Sequence, residues 1–358
     1  MKIHVEPVTI AMATPFRISR GSRTECHVVR VTIEHLGMIA QGECTPYPRY
    51  GESVESVIKA ISHAAHELQS LYAKGDADVM ALKSQLQSLL PAGAARNALD
   101  CALWHLYALL SQKQQVHDIF TLPEAIVTAM TVSIDTPQAM AKQAQAYLSQ
   151  GAKLLKVKLD GEHVLERVAA VRDAAPHAQI VLDANEAWQN LDLATVFDQL
   201  EPFNITMIEQ PLPQDCDDVL ANIPHPIPLC ADESCHTREQ LHQLLGKYEM
   251  VNIKLDKTGG LSEALLLADD AKELGFSLMS GCMLGTSLAM RAALPIAAQA
   301  SVVDLDGPVL LGQDVTPSLV YSDGEIVLSK YPTQSRGFDR KVRTSEFMIS
   351  IKKQSAPS

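Results

Sequence analysis

Five ionisable residues, Lys158, Asp183, Glu209, Asp232 and Lys254, follow one another at intervals of 25, 26, 23 and 22 residues, and each closes a short apolar run. An interval of that size holds one strand, one turn and one helix. The alternation extends to both sides. Apolar runs near 126–134, 153–159, 179–184, 205–209, 228–232, 250–255, 276–280 and 302–305 are separated by helical patterns such as 137–149, 163–174, 238–246 and 261–274. Eight strands alternating with seven helices over about 180 residues predict an α/β fold whose parallel sheet closes into a barrel rather than an open doubly wound sheet.

Catalytic groups in such barrels sit at the C-terminal ends of the strands, so the five residues are expected at one height around one mouth. Asp183 in Val181-Leu182-Asp183-Ala184-Asn185, Glu209 in Met207-Ile208-Glu209-Gln210-Pro211 and Asp232 in Cys230-Ala231-Asp232-Glu233-Ser234 each follow an apolar run that would bury them. Three buried carboxylates repel one another strongly where the dielectric is low, and a divalent cation is their natural neutraliser. Oxygen-only ligation points to Mg²⁺, or to Mn²⁺, and away from zinc. Glu233 is an alternative third ligand to Asp232, because adjacent strand residues point opposite ways. Each acid taken singly also reads as a helix cap in a βα loop; three in register argue for a shared role.

Lys156 and Lys158 fall on the same side of the run 153–159. Two ammonium groups on one face, together with desolvation, favour an amine able to accept a proton near neutral pH. On this run alone, an edge strand with lysines snorkelling to water stays open. Lys158 and Lys254 belong to the second and sixth strands, which face each other across an eight-stranded barrel. An ordinary salt bridge of Lys254 with Asp256 is the structural alternative. An acid and a base on opposite faces of one carbon can remove a proton and return it, and a cation on the adjacent carboxylate stabilises the enediolate that forms. The residues therefore predict metal-assisted racemisation or epimerisation next to a carboxylate.

The stretch 2–42 carries short β-rich runs with turn signals and predicts an antiparallel meander; 42–53 is a loop rich in Pro, Gly and Tyr; helices dominate 54–111. This first region is α+β. After Gly307 the rhythm is lost, with a hairpin near Tyr321-Ser322-Asp323-Gly324-Glu325 that can rejoin the first region, and a basic, weakly periodic tail from Ser329 expected to be partly disordered. The formal net charge of −12, without a dense Lys/Arg stripe before the tail, argues against nucleic acid or acidic membrane surfaces as partners. Seven scattered cysteines without paired ligand spacing fit reduced thiols. The N-terminus lacks an apolar signal region, and the most apolar stretch, 288–300, is broken by Arg291 and Pro295. A soluble cytoplasmic protein is expected.

The set Lys156-x-Lys158, Asp183-Ala184-Asn185, Glu209-Gln210-Pro211, Ala231-Asp232-Glu233-Ser234 and Asn252-Ile253-Lys254 resembles the enolase superfamily, in its muconate-lactonizing-type subgroup, over nearly the whole chain before the tail. The resemblance implies a (β/α)7β modified TIM barrel, 123–307, under an N-terminal α+β capping domain, 1–122, with a contribution from about 308–358. It implies Mg²⁺ held by Asp183, Glu209 and Asp232, acid/base lysines at Lys158 and Lys254, and supporting roles for Asn185, Gln210 and Glu233. Within that superfamily the chain is most similar to the dipeptide epimerases. Asp304-Leu305-Asp306 matches the Asp-x-Asp motif that meets a substrate ammonium there, and Arg23 matches a loop arginine that meets a glutamate side-chain carboxylate; Lys156 joins them as a substrate-binding residue. The implied reaction is epimerisation of L-Ala-D-Glu and L-Ala-L-Glu at the Glu α-carbon, in murein peptide recycling, with loops 14–24 and 42–53 as a lid. A small dipeptide is then the partner, and a homo-oligomer is compatible. Within the same superfamily, N-acylamino acid racemase, o-succinylbenzoate synthase or muconate cycloisomerase chemistry would use the same ring. A binding or scaffold protein that kept the fold and lost activity is the reading from another class.

Overall fold

The structure, a computed structural model, describes residues 1–18, 21–75 and 78–328. The basic tail from Ser329 lies outside the described residues, as do Ser19 and Arg20 in the expected 14–24 loop.

Strands β1 (Lys2–Ile18), β2 (Gly21–His35) and β3 (Met38–Cys44) form an antiparallel sheet in that order. The 14–24 segment is therefore mostly a strand hairpin, with a register shift between Ala11 and Phe16. One face of the sheet, including Val29, Val31, Ile33 and Ala40, packs on α1 (Val54–Ala73), α2 (Val79–Leu89) and α3 (Ala94–Leu110). Ser53 starts α1 through a capping box with Ser56, and Val57, Ile61, Ala64 and Leu68 then recur at helical spacing on its buried face. Helix α3 lies tight against β3: a side chain at Gly42 would place its Cβ 2.2 Å from the Ala98 carbonyl oxygen.

A short strand β4 (Ala125–Val127) precedes the parallel elements: β5 (Ala129–Val132), α4 (Pro137–Ser149), β6 (Leu154–Lys158), α5 (Val164–Ala174), β7 (Gln179–Asp183), α6 (Leu193–Leu200), β8 (Met207–Glu209), β9 (Leu229–Ala231), α7 (Leu241–Leu244), β10 (Met250–Ile253), α8 (Leu255–Thr258), α9 (Leu261–Glu273), β11 (Ser277–Gly281), α10 (Ser287–Ala297) and β12 (Val302–Asp304). The eight strands β5 to β12 pair in parallel in chain order. Hydrogen bonds from Thr131 N to Asp306 Oδ2 (2.8 Å) and from Leu305 N to Thr128 Oγ1 (2.9 Å) stitch the first strand to the end of the last. The expected seven helices are not all α-helices: the crossover from β8 to β9 carries only short 3₁₀ turns, Gln214–Cys216 and Asp218–Asn222.

Two-residue periodicity sets the height of every inward side chain. An apolar layer takes one residue from each strand: Ala129, Leu154, Val181, Met207, Cys230, Met250, Met279 and Val302. Two residues further on, the same positions read Thr131, Lys156, Asp183, Glu209, Asp232, Asn252, Gly281 and Asp304. Lys158, Lys254 and Asp306 lie two residues beyond that. The five-residue ring expected at one height is thus two layers, with the carboxylates below and the lysine pair above.

After the barrel come α11 (Gly307–Leu310) and the hairpin β13 (Val320–Ser322) and β14 (Glu325–Val327). The hairpin does not rejoin the first sheet. It pairs with β4 through β14, and Gly324 sits against the backbone of Gly151 to Lys153, just ahead of β6. The segment that does reach the first sheet follows α11: Leu311 packs with Ile10, Cys26 and Val28, and Gly312 N donates to Ala11 O (2.8 Å). No helix among the described residues is long and apolar enough to cross a membrane.

Buried polar contacts join the N-terminal layer to the barrel. Glu43 accepts from Thr286 N and Oγ1, both at 2.8 Å; Arg96 donates to Thr258 O (2.6 Å) and Gly259 O (3.1 Å); Asp100 accepts from Ser262 N (2.9 Å) and Oγ (2.6 Å). Asp256 Oδ1 accepts from Thr45 N (3.0 Å) and Asn97 Nδ2 (2.9 Å). Burial pushes the Asp256 carboxyl up to about 7, against the pull of those two bonds. An unfolded aspartate ionises near about 4, so between these values the folded chain holds a proton that the unfolded chain has lost. Its contribution to stability therefore falls as pH rises from about 4 to 7. Asp256→Asn keeps the acceptor and removes the titration; thermal unfolding should show the variant gaining roughly 1–3 kcal/mol on the wild type between pH 5 and pH 8. A gap that stays constant over that range contradicts the assignment.

Candidate active site

The cleft over the barrel is lined by strand ends and by the two N-terminal segments expected to cover them, which contribute Arg23 from β2 and Thr45, Tyr47 and Tyr50 from the loop after β3. Lys156, Lys158, Asp183, Glu209, Asp232 and Lys254 are all less than a tenth exposed. The Lys156 ammonium lies among three carboxylates, 2.6 Å from Glu209 Oε2, 2.7 Å from Asp304 Oδ2 and 3.0 Å from Asp183 Oδ2. Lys158 Nζ donates to Asp183 Oδ2 (2.5 Å) and to Asn185 Oδ1 (3.3 Å). Across the mouth, Lys254 Nζ donates to Asp232 Oδ2 (2.6 Å) and stands 3.9 Å from Glu209 Oε1.

The two lysines of β6 do share a face, as the alternation requires, yet their surroundings are not those of a crowded pair of cations. Burial pulls Lys156 down, but Asp183, Asp304, Glu209 and Asp232 outweigh it and hold the ammonium well above its ordinary value. Lys254 is held up in the same way by Asp232 and Glu209. Asp183 stays below the usual carboxylate range because Lys156, Lys158 and Lys254 overcome the cost of burying it. Burial, with Asp183 and Asp232 alongside, pushes Glu209 up to about 8. Sequence reasoning weighed the two lysines of β6 against each other and overlooked that the acids in the layer of Lys156 would dominate there.

Supporting contacts hold the strand ends. Gln210 Oε1 accepts from Asp232 N (2.8 Å) and Ser234 N (3.2 Å), while its Nε2 donates to Leu212 O (2.8 Å) and Tyr248 OH (3.0 Å). Asn185, Glu186 and Gln210 take left-handed backbone angles of +44°, +67° and +38°, a conformation that costs non-glycine residues energy and is kept only where surrounding contacts enforce it. Arg49 makes one of those contacts, a two-pronged bond to Glu186 at 3.0 and 2.9 Å that fastens the loop after β3 to the loop after β7. Asp306 Oδ2 accepts from Thr131 N (2.8 Å), and burial beside Asp304 pushes it up to about 7 against the pull of Thr131 and Lys156. Arg23 lies beside Tyr47, its guanidinium carbon 5.3 Å from the ring centroid. Glu233 lines the cleft beside Asp232.

Sequence reasoning missed Lys257 and gave Asn252, although it belongs to the matching set, no role. Lys257 is buried beneath Asp232 and donates to the carbonyls of Asp232 (2.5 Å), Cys235 (2.8 Å) and Asn252 (2.9 Å), with Asp232 Oδ1 at 2.7 Å. Asn252 Nδ2 donates to Glu209 Oε1 at 2.7 Å. Counting two residues on from Met250 finds Asn252; no pattern in the sequence announces Lys257, which sits in the helical turn α8.

A hard divalent cation fits this donor set. Four buried ammonium groups (Lys156, Lys158, Lys254, Lys257) face six carboxyl groups (Asp183, Glu209, Asp232, Glu233, Asp304, Asp306), a formal deficit of two positive charges. Asp183 and Glu209 stand in register on neighbouring strands, and Asp232 follows the next. Among the described residues no three acidic, His or Cys side chains are gathered as a ready ion cluster, since the lysines are spread over the carboxylate oxygens.

Residues 1–120 match the Mandelate racemase / muconate lactonizing enzyme N-terminal domain, and residues 139–332 match the Enolase C-terminal domain-like family. The chain is 53% identical over 317 residues to the L-Ala-D/L-Glu epimerase of Escherichia coli K12, covering 88% of this chain and 96% of that protein. It is 45% identical over 299 residues to the N-acetyl-D-glutamate racemase of a Pseudoalteromonas species, covering 84% of this chain and 92% of that protein. Among solved structures, an enolase family member from Agrobacterium tumefaciens with homology to dipeptide epimerases, holding sodium and L-Ala-L-Glu, superposes with a TM-score of 0.84 at 42% identity, covering 91% of this chain and 97% of that one. A dipeptide epimerase from Cytophaga hutchinsonii complexed with Mg and D-Ala-L-Val gives 0.81 at 26% identity, covering 90% and 92%.

Proposed function

The chain belongs to the enolase superfamily, in its mandelate racemase/muconate lactonizing enzyme group, and on that footing we propose that it is a Mg²⁺-dependent dipeptide epimerase acting on L-Ala-D-Glu and L-Ala-L-Glu. The observation that carries this reading is the placement of two buried lysines, Lys158 at the end of β6 and Lys254 directly after β10, on strands that face each other across the mouth. We assign the N-terminal layer, 1–122 with help from the segment after 307, as the cap, and 123–307 as the catalytic barrel.

Asp183, Glu209 and Asp232 hold the metal, which when bound neutralises them and draws charge from the substrate's α-carboxylate, acidifying the adjacent proton. Lys158 and Lys254 approach the Glu α-carbon from opposite faces. Whichever lysine is neutral takes the α-proton, and the opposite ammonium delivers its own to the other face, so the two exchange roles with the direction of reaction. Carboxylate charge committed elsewhere loosens the hold that keeps Lys254 protonated, which lets it serve as a base. Lys156 stays cationic among its acids and faces the substrate carboxylate. Asp304 and Asp306 meet the dipeptide's ammonium, and Arg23 its side-chain carboxylate. Murein peptide recycling in the cytoplasm is the setting that suits this substrate.

Proton NMR in D₂O with Mg²⁺ tests the reading. Each dipeptide should lose its Glu α-proton signal while converting into the other diastereomer. Exchange with N-acetylglutamate and none with either dipeptide would move the assignment to an N-acylamino acid racemase, whose substrate offers Asp304 and Asp306 no ammonium. Arg23→Ala should raise KM for L-Ala-L-Glu by about 10- to 100-fold, the worth of one charge-assisted contact, and leave L-Ala-L-Ala turnover unchanged. Equal losses on both dipeptides contradict the role given to Arg23.

A further inference from the structure

The polar layer of the barrel has one position without a side chain. Gly281 ends β11, paired with Asp304 on the next strand, and its backbone is not left-handed, so conformation alone does not call for glycine. Space does. A Cβ at this position would stand 2.6 Å from Asn252 Oδ1, 2.8 Å from Asn252 Nδ2 and 3.0 Å from Lys254 Cε. All three atoms belong to side-chain ends, which move aside at small cost to the fold. Movement is costly here for another reason: Asn252 Nδ2 holds Glu209 Oε1 at 2.7 Å, and the Lys254 ammonium is fixed on Asp232 Oδ2 at 2.6 Å.

We propose that Gly281 is a positioning residue for one half of the reaction: the room it leaves lets Lys254 extend beside Asn252 to its place over the substrate α-carbon. This rests on the two-lysine reading above. Lys158 is on the opposite wall, four strands away, and does not share that space. Crowding at residue 281 therefore acts unequally on the two faces of the substrate. A displaced Lys254 neither takes the α-proton on its side nor delivers one there. Lys158 still removes the α-proton of the diastereomer that faces it, exchanges that proton with solvent and returns a deuteron to the same face.

The test measures initial α-proton exchange of L-Ala-L-Glu and L-Ala-D-Glu separately, in D₂O, with the Mg²⁺-loaded full chain, for wild type, Gly281→Ala and Lys254→Ala. In Lys254→Ala the ratio of the two exchange rates should move strongly towards the diastereomer handled by Lys158. Gly281→Ala should shift the ratio in the same direction by at least about tenfold, with an unfolding midpoint close to wild type; a purely structural defect would lower both rates together. A ratio that moves in Lys254→Ala and not in a folded Gly281→Ala overturns the proposal alone. A ratio unmoved in both variants overturns the two-lysine reading and the proposal with it. Should Gly281→Ala fail to fold, the double variant Asn252→Ala/Gly281→Ala removes the two nearest contacts and leaves Lys254 Cε as the close neighbour. Its exchange ratio must differ from that of Asn252→Ala by the same tenfold; equality overturns the proposal.

Discussion

Lys158→Ala and Lys254→Ala should each abolish interconversion of the two dipeptides, a loss of at least about 10³-fold, because epimerisation needs both groups while general acid–base catalysis by one is typically worth 10²- to 10⁴-fold. Neither change should unfold the chain. Without Lys158, Asp183 keeps Lys156 at 3.0 Å; without Lys254, Asp232 keeps Lys257 at 2.7 Å. Each buried carboxylate thus retains a cation, and the penalty for a lone buried charge is avoided. The diagnostic result is complementary exchange in D₂O, one variant exchanging only the L,L and the other only the L,D diastereomer. Two variants that lose exchange on both substrates alike would show that the lysines do not divide the faces between them.

Lys257→Met should act on the opposite quantity. Its ammonium is wholly enclosed and is shared by three carbonyl oxygens and one carboxylate oxygen, so a methionine of similar reach takes the ammonium from all four, and of the carbonyls Asp232 O still accepts from Cys235 N at 3.1 Å. Asp232 keeps Lys254 at 2.6 Å, so the cost is that of the buried oxygens stripped of their strongest donor, at about 1–3 kcal/mol each and about 3–5 kcal/mol together, which for a chain of this size lowers the unfolding temperature by roughly 5 °C. Denaturant and thermal unfolding measure it directly. A loss under about 1 kcal/mol would mean that water replaces the ammonium without penalty.

Much of the barrel was legible because its signals are periodic. The intervals between Lys158, Asp183, Glu209, Asp232 and Lys254 located strand ends to within a residue or two, and strand alternation paired Lys156 with Lys158. Height within the barrel was less legible. It depends on which residue of each strand enters the apolar layer, and only the structure sets Cys230, two before Asp232, level with Met250, four before Lys254. Contacts made across the chain's length were not legible at all. Lys257 reads as an ordinary helical lysine until Asp232 and Cys235 stand over it, and Gly281 as an ordinary strand-end glycine until Asn252 fills the room beside it. The turn residues of β13–β14 specify a hairpin and carry nothing about the third strand, which is β4 rather than a strand of the first sheet.

The buried hydrogen bonds between the N-terminal layer and the barrel bear on how substrate gets in. Glu43 to Thr286, Arg96 to the carbonyls of Thr258 and Gly259, Asp100 to Ser262 and Asp256 to Thr45 act as rivets. Swinging the layer away as a body would strand their buried donors and acceptors, at about 1–3 kcal/mol each. That price rules out a clamshell on the catalytic timescale. Arrival and departure fall to the two short segments that carry Arg23 and Tyr50; the second of them meets the barrel rim through Arg49 on Glu186, itself a third exposed to water, and through the Tyr50 ring against His236 at 4.5 Å. Moving a few loop residues breaks far fewer buried bonds than moving the cap, so the sequence of those segments, rather than the rigidity of the cap, is the lever on access to the site.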